Sequence, residues 1–187
     1  MTRIPLAAMA LIALATPACA TAGQPSAAPA VEPTLSGSLT APDGSAIGTA
    51  RLFRGPLGLL LRIEADGLPQ GWHGAHLHAV GSCETPGFQS AGGHVNHPEA
   101  QRPHGLLNWD GGPDYGDLQN VYAHADGTLR AEVYFSGGGL PDARGFDMAD
   151  GDGLSLVIHE NADDHVSLPI GGAGARIACA VLAPTGD

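Results

Sequence analysis

An all-β domain is the fold class this sequence predicts, and three observations predict it. Apolar runs are of strand length, turn-forming pairs such as Asp-Gly and Gly-Pro separate them, and 28 Gly and 15 Pro fall among 187 residues, a load that long helices tolerate poorly. With 43% hydrophobic and 14% charged residues, the chain has the balance of one globular domain. From Thr34 the runs come in order. Residues 35–40 are followed by Pro42-Asp43-Gly44, residues 47–54 by Gly55-Pro56, and residues 57–64 by Asp66-Gly67, which reads as three antiparallel strands of a meander. A fourth strand is expected over 73–80 and others over 120–124, 129–135, 154–159 and 176–182. Eight strands of this kind suit a β-sandwich or flattened barrel.

Two segments break the rhythm. Residues 81–119 are rich in Gly, Pro, His and Asp and poor in apolar periodicity, and residues 160–175 are a second, shorter case. Loops of such length without regular structure are usually functional or stapled. No internal repeat and no second domain are legible.

Charge narrows the function. The net charge is −11 and all eight basic residues are Arg, so no basic patch exists that could neutralise a nucleic acid. An anionic substrate would need a local positive focus.

Residues 1–20 have the layout of a secretory signal: Arg3, an apolar stretch over 4–15, then small residues ending Ala18-Cys19-Ala20. The apolar stretch is short for a bilayer span. Cleavage after Ala20 leaves Cys83 and Cys179, an even number suited to one disulfide in an oxidising compartment such as the periplasm. The alternative is cleavage before Cys19 with a lipid on its sulfur, giving a membrane-tethered protein, although Thr16 stands where a lipoprotein signal usually has Leu. Residues 21–33 then read as a flexible Ala/Pro-rich tether and 34–187 as the folded domain.

His76 and His78 are two apart on an expected strand, so their side chains leave from one face and can reach one ion. Alone, such a pair is as readily the polar face of a strand. His94 and His104 lie in the long loop with Asp114 and Asp117, and His159 ends another strand. Imidazole with a few carboxylates suits copper or zinc and fits calcium and magnesium poorly. His124 and His165, and with less reason His73, are accounted for as solvated histidines.

At these residues the sequence resembles the copper-zinc superoxide dismutase family. The likeness rests on Gly71-Trp72-His73-Gly74-Ala75-His76-Leu77-His78, on Ser90-Ala91-Gly92-Gly93-His94-Val95-Asn96 and on Gly116-Asp117-Leu118. It continues through Leu156-Val157-Ile158-His159-Glu160 with Asp163-Asp164, and ends with Gly172-Ala173-Gly174-Ala175-Arg176-Ile177-Ala178-Cys179. These run from about Leu35 to Leu182, and the Gly81-Ser82-Cys83 spacing looks like the bacterial periplasmic branch. The resemblance implies an eight-stranded Greek-key, immunoglobulin-like β-sandwich with two long functional loops. It implies copper on His76, His78, His94 and His159, with His94 bridging to a zinc on His94, His104 and Asp117. It further implies Asp163 as the carboxylate joining a copper histidine to a zinc histidine, a Cys83–Cys179 disulfide, Arg176 as the anion guide, and His94 as a proton carrier in the dismutation of superoxide.

The sequence departs from the family at the zinc. Asp114 stands where a third zinc histidine is usual; its carboxylate is the expected substitute, with His97 as the alternative. Residues 160–175 lack the lysines that many relatives use to steer the anion, which leaves Arg102 to contribute. The rival function is a non-catalytic copper-binding or buffering module on the same fold, which loss of a copper histidine or of Arg176 would favour. No oligomer face, monomeric or dimeric, is legible.

Overall fold

In a computed structural model of the chain, residues 31–137, 139–140 and 147–185 are described. The signal and lipid-anchor expectations, including Cys19, therefore lie outside the described residues, as does most of the tether.

Among the described residues there are ten short strands: β1 (Leu35–Thr40), β2 (Ala46–Arg54), β3 (Leu59–Ala65), β4 (Gly71–His73), β5 (Ala75–His78), β6 (Val121–Ala123), β7 (Leu129–Phe135), β8 (Ser155–His159), β9 (Arg176–Val181) and β10 (Ala183–Pro184). An antiparallel sheet runs in the order β5-β8-β9-β1-β2-β3-β7, β10 adds to β1, and β4 pairs with β6 as a separate ribbon. The meander is built locally. Asp43 Oδ1 accepts the backbone N–H and the hydroxyl of Ser45, and Gly44 takes φ +86°, which turns β1 into β2. β3 then alternates cleanly, with Leu59, Leu61, Ile63 and Ala65 buried and Arg62 in solvent.

The sheet curls around its main core. Leu39, Leu52, Leu61, Leu77, Val121, Leu129 and Leu156 come from seven different strands and join a single buried cluster. β8 is buried at all five positions, because Leu156 and Ile158 join the main cluster while Val157 packs on the other side with Phe88, Ala91 and Cys179.

The expected fourth strand over 73–80 splits at Gly74. Its first part pairs with β6 and its second with β8, and at the switch Gly74 donates to Asn161 O while accepting from the N–H of His159. Gly74 also lets the 160–175 loop approach: a Cβ there would lie 3.1 Å from Ala173 Cβ and 3.4 Å from His76 Cε1. The 81–119 loop is irregular as expected, apart from one 3-10 turn at Gln89–Ala91. It is tied to the last long strand by the Cys83–Cys179 disulfide, whose Cα atoms are 5.7 Å apart.

Candidate metal centre

The free edge of β5 gathers the site. One edge of β5 pairs with β8; along the other, the long loop docks through Leu77 N–H to Gly116 O and Val95 N–H to Leu77 O. Gly116 is required for this approach, since a Cβ there would lie 2.3 Å from Leu77 O. The docking sets His76 opposite Asp117 and His78 opposite His94. His159, at the end of β8, comes in beside them because a register shift between Ile158 and His159 places it opposite Arg176.

Four imidazoles thus meet. The ring of His76 stands 4.1 Å from that of His94 and 4.8 Å from that of His159, and His78 lies 5.1 Å from His94. Each ring has one nitrogen engaged. His76 Nε2 faces Asp163 Oδ2 at 2.8 Å, His78 Nδ1 donates to Gly92 O at 2.9 Å, and His159 Nδ1 donates to Gly174 O at 3.2 Å. His94 Nδ1 faces Asp114 Oδ2 at 3.0 Å. The opposite nitrogens, His76 Nδ1 and Nε2 of His78, His94 and His159, are buried with no hydrogen-bond partner. Four unpartnered lone pairs turned on one another are costly unless a cation takes them. One ring nitrogen from each of the four lies within 4.8 Å of the others, so the set fits a copper ion.

A second cluster shares His94. His94, His104, Asp114 and Asp117 bring ligand atoms within 4.8 Å. In both carboxylates one oxygen is used by the backbone: Asp117 Oδ2 accepts from Gly105 and Asp114 N–H, and Asp114 Oδ1 accepts from Gly116 N–H. The other oxygen of each points to the histidines. His104 Nδ1 and Asp117 Oδ1 approach to 2.5 Å, yet both are without a hydrogen bond, as ligand atoms of one ion would be. Two imidazoles and two carboxylates fit four-coordinate zinc. His97 stands apart from this cluster; its Nδ1 accepts from the N–H groups of Glu99 and Ala100.

Asp163 joins the clusters, with Oδ2 on His76 and Oδ1 on His104 Nε2 at 3.1 Å. Gly171 makes room for it: a Cβ there would lie 1.7 Å from Asp163 Oδ1. Arg176 is pinned by donating from Nη1 to Phe88 O at 2.6 Å and from Nη2 to Gly92 O at 2.7 Å. With His78, His94 and His159 it lines a cavity of about 570 Å³ that Arg102 also borders. The guanidinium of Arg102 lies over the Tyr115 ring, 4.9 Å from its centroid.

The two clusters differ electrically. Burial, helped by the neighbouring cationic groups His94 and Arg176, pushes His78 down to about 2, and burial with His76 nearby takes His159 down to about 3. Burial also lowers His76, against its bond to Asp163. For His104, burial acts downward but the carboxylates of Asp117 and Asp163 outweigh it and raise it to about 10. His94 is raised likewise, burial being overcome by Asp114 and Asp117. Burial works against the Asp117 and Asp163 charges, and the histidines facing them nonetheless hold both well below the usual carboxylate range.

Two histidines correct the sequence reading. His73 is 2% exposed, not solvated, and its ring nitrogens lie 2.8 Å from the carbonyls of His159 and Pro69, buttressing the end of β8. His165 is also drawn inside, against Asp163 and Asn120. Of the three, His124 alone is exposed as expected. Asn120, which sequence reasoning passed over, bonds both main-chain groups of Asp163; a partner 43 residues away leaves no local sign.

The copper/zinc superoxide dismutase (SODC) family model matches residues 46–182. The copper-zinc superoxide dismutase of Caulobacter vibrioides is 50% identical over 141 residues, 75% of this chain and 80% of that protein. One from Aquifex aeolicus is 39% identical over 140 residues, 74% and 81%. Among solved structures, a SOD-like protein from Bacillus subtilis superposes with a TM-score of 0.71 at 34% identity over 78% of this chain and 95% of that one. The copper-zinc superoxide dismutase of Brucella abortus gives 0.60 at 29% identity, over 78% and 97%.

Proposed function

The chain belongs to the copper/zinc superoxide dismutase family, and from that premise we propose which residues do the work: His76, His78, His94 and His159 hold copper, and His94, His104, Asp114 and Asp117 hold zinc. The protein is an enzyme that converts two superoxide anions and two protons into dioxygen and hydrogen peroxide. Copper, when bound, supplies the one-electron couple that accepts an electron from one superoxide and returns it to the next, with zinc as a fixed charge beside it.

The remaining steps belong to side chains. Arg176, with Arg102 on the same cavity, supplies the positive focus that an anion needs on a chain of charge −11. Its guanidinium is held rigid by two carbonyls at the cavity wall shared with the copper histidines, so a small anion meets a preset fork of charge. His94 is the proton carrier of this reading: its Nε2 is buried without a hydrogen bond and borders the same cavity as Arg176. Asp163 keeps His76 and His104 in the tautomers that leave their Nδ1 atoms for metal.

One observation carries this assignment: four rings turn unpartnered nitrogens to a common point while carbonyls and carboxylates fix the other side of each. Metal analysis alongside superoxide decay tests it. One copper and one zinc per chain with fast decay is expected, and His159→Ala should lose copper and decay together. Zinc alone without activity would overturn it, and bound copper without activity would favour the buffering module.

For the leader, we propose that residues 1–20 are removed as a signal, that 21–33 tether the domain, and that the mature protein is periplasmic. Support comes from the signal layout and from the Cys83–Cys179 bond, which suits an oxidising compartment. Mass determination of the mature protein separates a Thr21 amino terminus from a lipid on Cys19.

A further inference from the structure

We infer that His165 is a positioning residue, setting the carboxylate of Asp163 between the rings of His76 and His104; this rests on the reading that Asp163 couples the copper and zinc ligand sets. Three observations point to it. The backbone of His165 has φ +62°, a left-handed conformation that a residue with a side chain rarely adopts. Its N–H donates to Asp163 Oδ1 at 2.6 Å, and its carbonyl accepts from Leu107 N–H at 3.0 Å. Gly105, at φ +117°, leaves room for that carbonyl, since a Cβ there would lie 2.4 Å from His165 O. The unusual backbone is therefore what locks the 160–175 loop to the zinc-side loop, at Asp163.

The ring continues the argument. Asn120 accepts the Asp163 N–H with Oδ1 and donates from Nδ2 to the Asp163 carbonyl, both at 2.8 Å, and this pair fixes which end of its amide is which. The Nδ2 group, so assigned, donates to His165 Nε2 at 3.2 Å. His165 Nε2 is thus an acceptor, and the proton of the neutral ring sits on Nδ1. That Nδ1 is buried, has no hydrogen bond, and faces Asp163 Oδ2 at 3.6 Å. Asp163 is consequently ringed by three imidazoles, two of them proposed metal ligands and one that orients it.

His165→Gly tests this, because glycine relieves the left-handed backbone and keeps its N–H while removing the ring. Zinc affinity, measured by chelator competition on the full chain, is expected to fall about tenfold, as for other residues behind a metal ligand. The visible spectrum of the copper form should shift with it, and melting of the metal-free protein should not. His165→Gln, which keeps a donor and an acceptor, should stay within about threefold of the parent. Parental zinc affinity and spectrum in His165→Gly would overturn the inference. So would a loss of zinc affinity matched by a loss of metal-free stability, which would make the residue structural only. Asp163→Ala separates the premise: if it leaves zinc affinity intact, the coupling role of Asp163 fails; if it weakens zinc while His165→Gly does not, only the role of His165 fails.

Discussion

The copper and zinc halves of the site use the same imidazole in opposite electrical states. On the copper side, His78 and His159 donate to the carbonyls of Gly92 and Gly174, partners that fix a tautomer without carrying charge, so burial, aided by the cationic neighbours, decides and the rings are neutral. On the zinc side, carboxylates face His94 and His104 and draw protons onto them. A buried histidine beside peptide carbonyls waits as a lone pair, and one aspartate does not change that. His76, hydrogen-bonded to Asp163, is still lowered by burial, whereas His94 and His104, each facing two aspartates, are raised.

The strongest way to break the comparison is to remove one ligand from each half. His78→Ala should lower copper affinity more than about 100-fold, beyond what removal of an outer residue costs, and abolish dismutation. Asp114→Ala should weaken zinc by about 10- to 100-fold while copper binds, and His97→Ala should leave both alone; dialysis against graded chelator reads both. A zinc site indifferent to Asp114 and dependent on His97 would reverse the assignment.

A smaller effect is expected at Arg176, which serves neither ion. Arg176→Ala should lower the second-order rate about tenfold at low ionic strength, and less in salt, with bound copper unchanged. An unchanged rate at low salt would remove its role.

The smallest and most discriminating effect is in protons. Free His104 titrates near the ordinary histidine value and in the folded metal-free protein near 10, so over that window zinc must displace a proton. With His94 raised as well, zinc affinity should rise at least about tenfold per pH unit up to about pH 10. Linkage has the same window with the opposite sense for folding. The raised group stabilises the metal-free protein fully below about 6.5, and that contribution is lost as pH rises through about 10. His78 and His159 are already neutral above about 3, so they should release no proton to copper at neutral pH. Calorimetry in buffers of different ionisation heat counts both.

The two halves were also unequally legible in the sequence. His76 and His78 announce themselves because strand alternation puts i and i+2 on one face, and strands β1 and β7 fall where alternation and turn residues place them. The break at Gly74 was hidden, because a change of pairing partner leaves the apolar pattern running through it. Asp114 and Asp117 could be named, but their aim depends on Gly116 lying against β5. His165 was misread as solvated because what holds it, Asn120 and Asp163, is recognised only once the two loops are brought together.

The Cys83–Cys179 disulfide acts independently of both halves. Closing a span of 96 residues restricts the unfolded chain by on the order of 4–5 kcal/mol in the loop-entropy picture, and that restriction is the same whether or not an ion is present. It also keeps the segment whose carbonyls hold Arg176 beside the last long strand. Oxidation thus constrains the chain independently of either ion, and it steadies the wall that holds the anion guide as much as it steadies the fold.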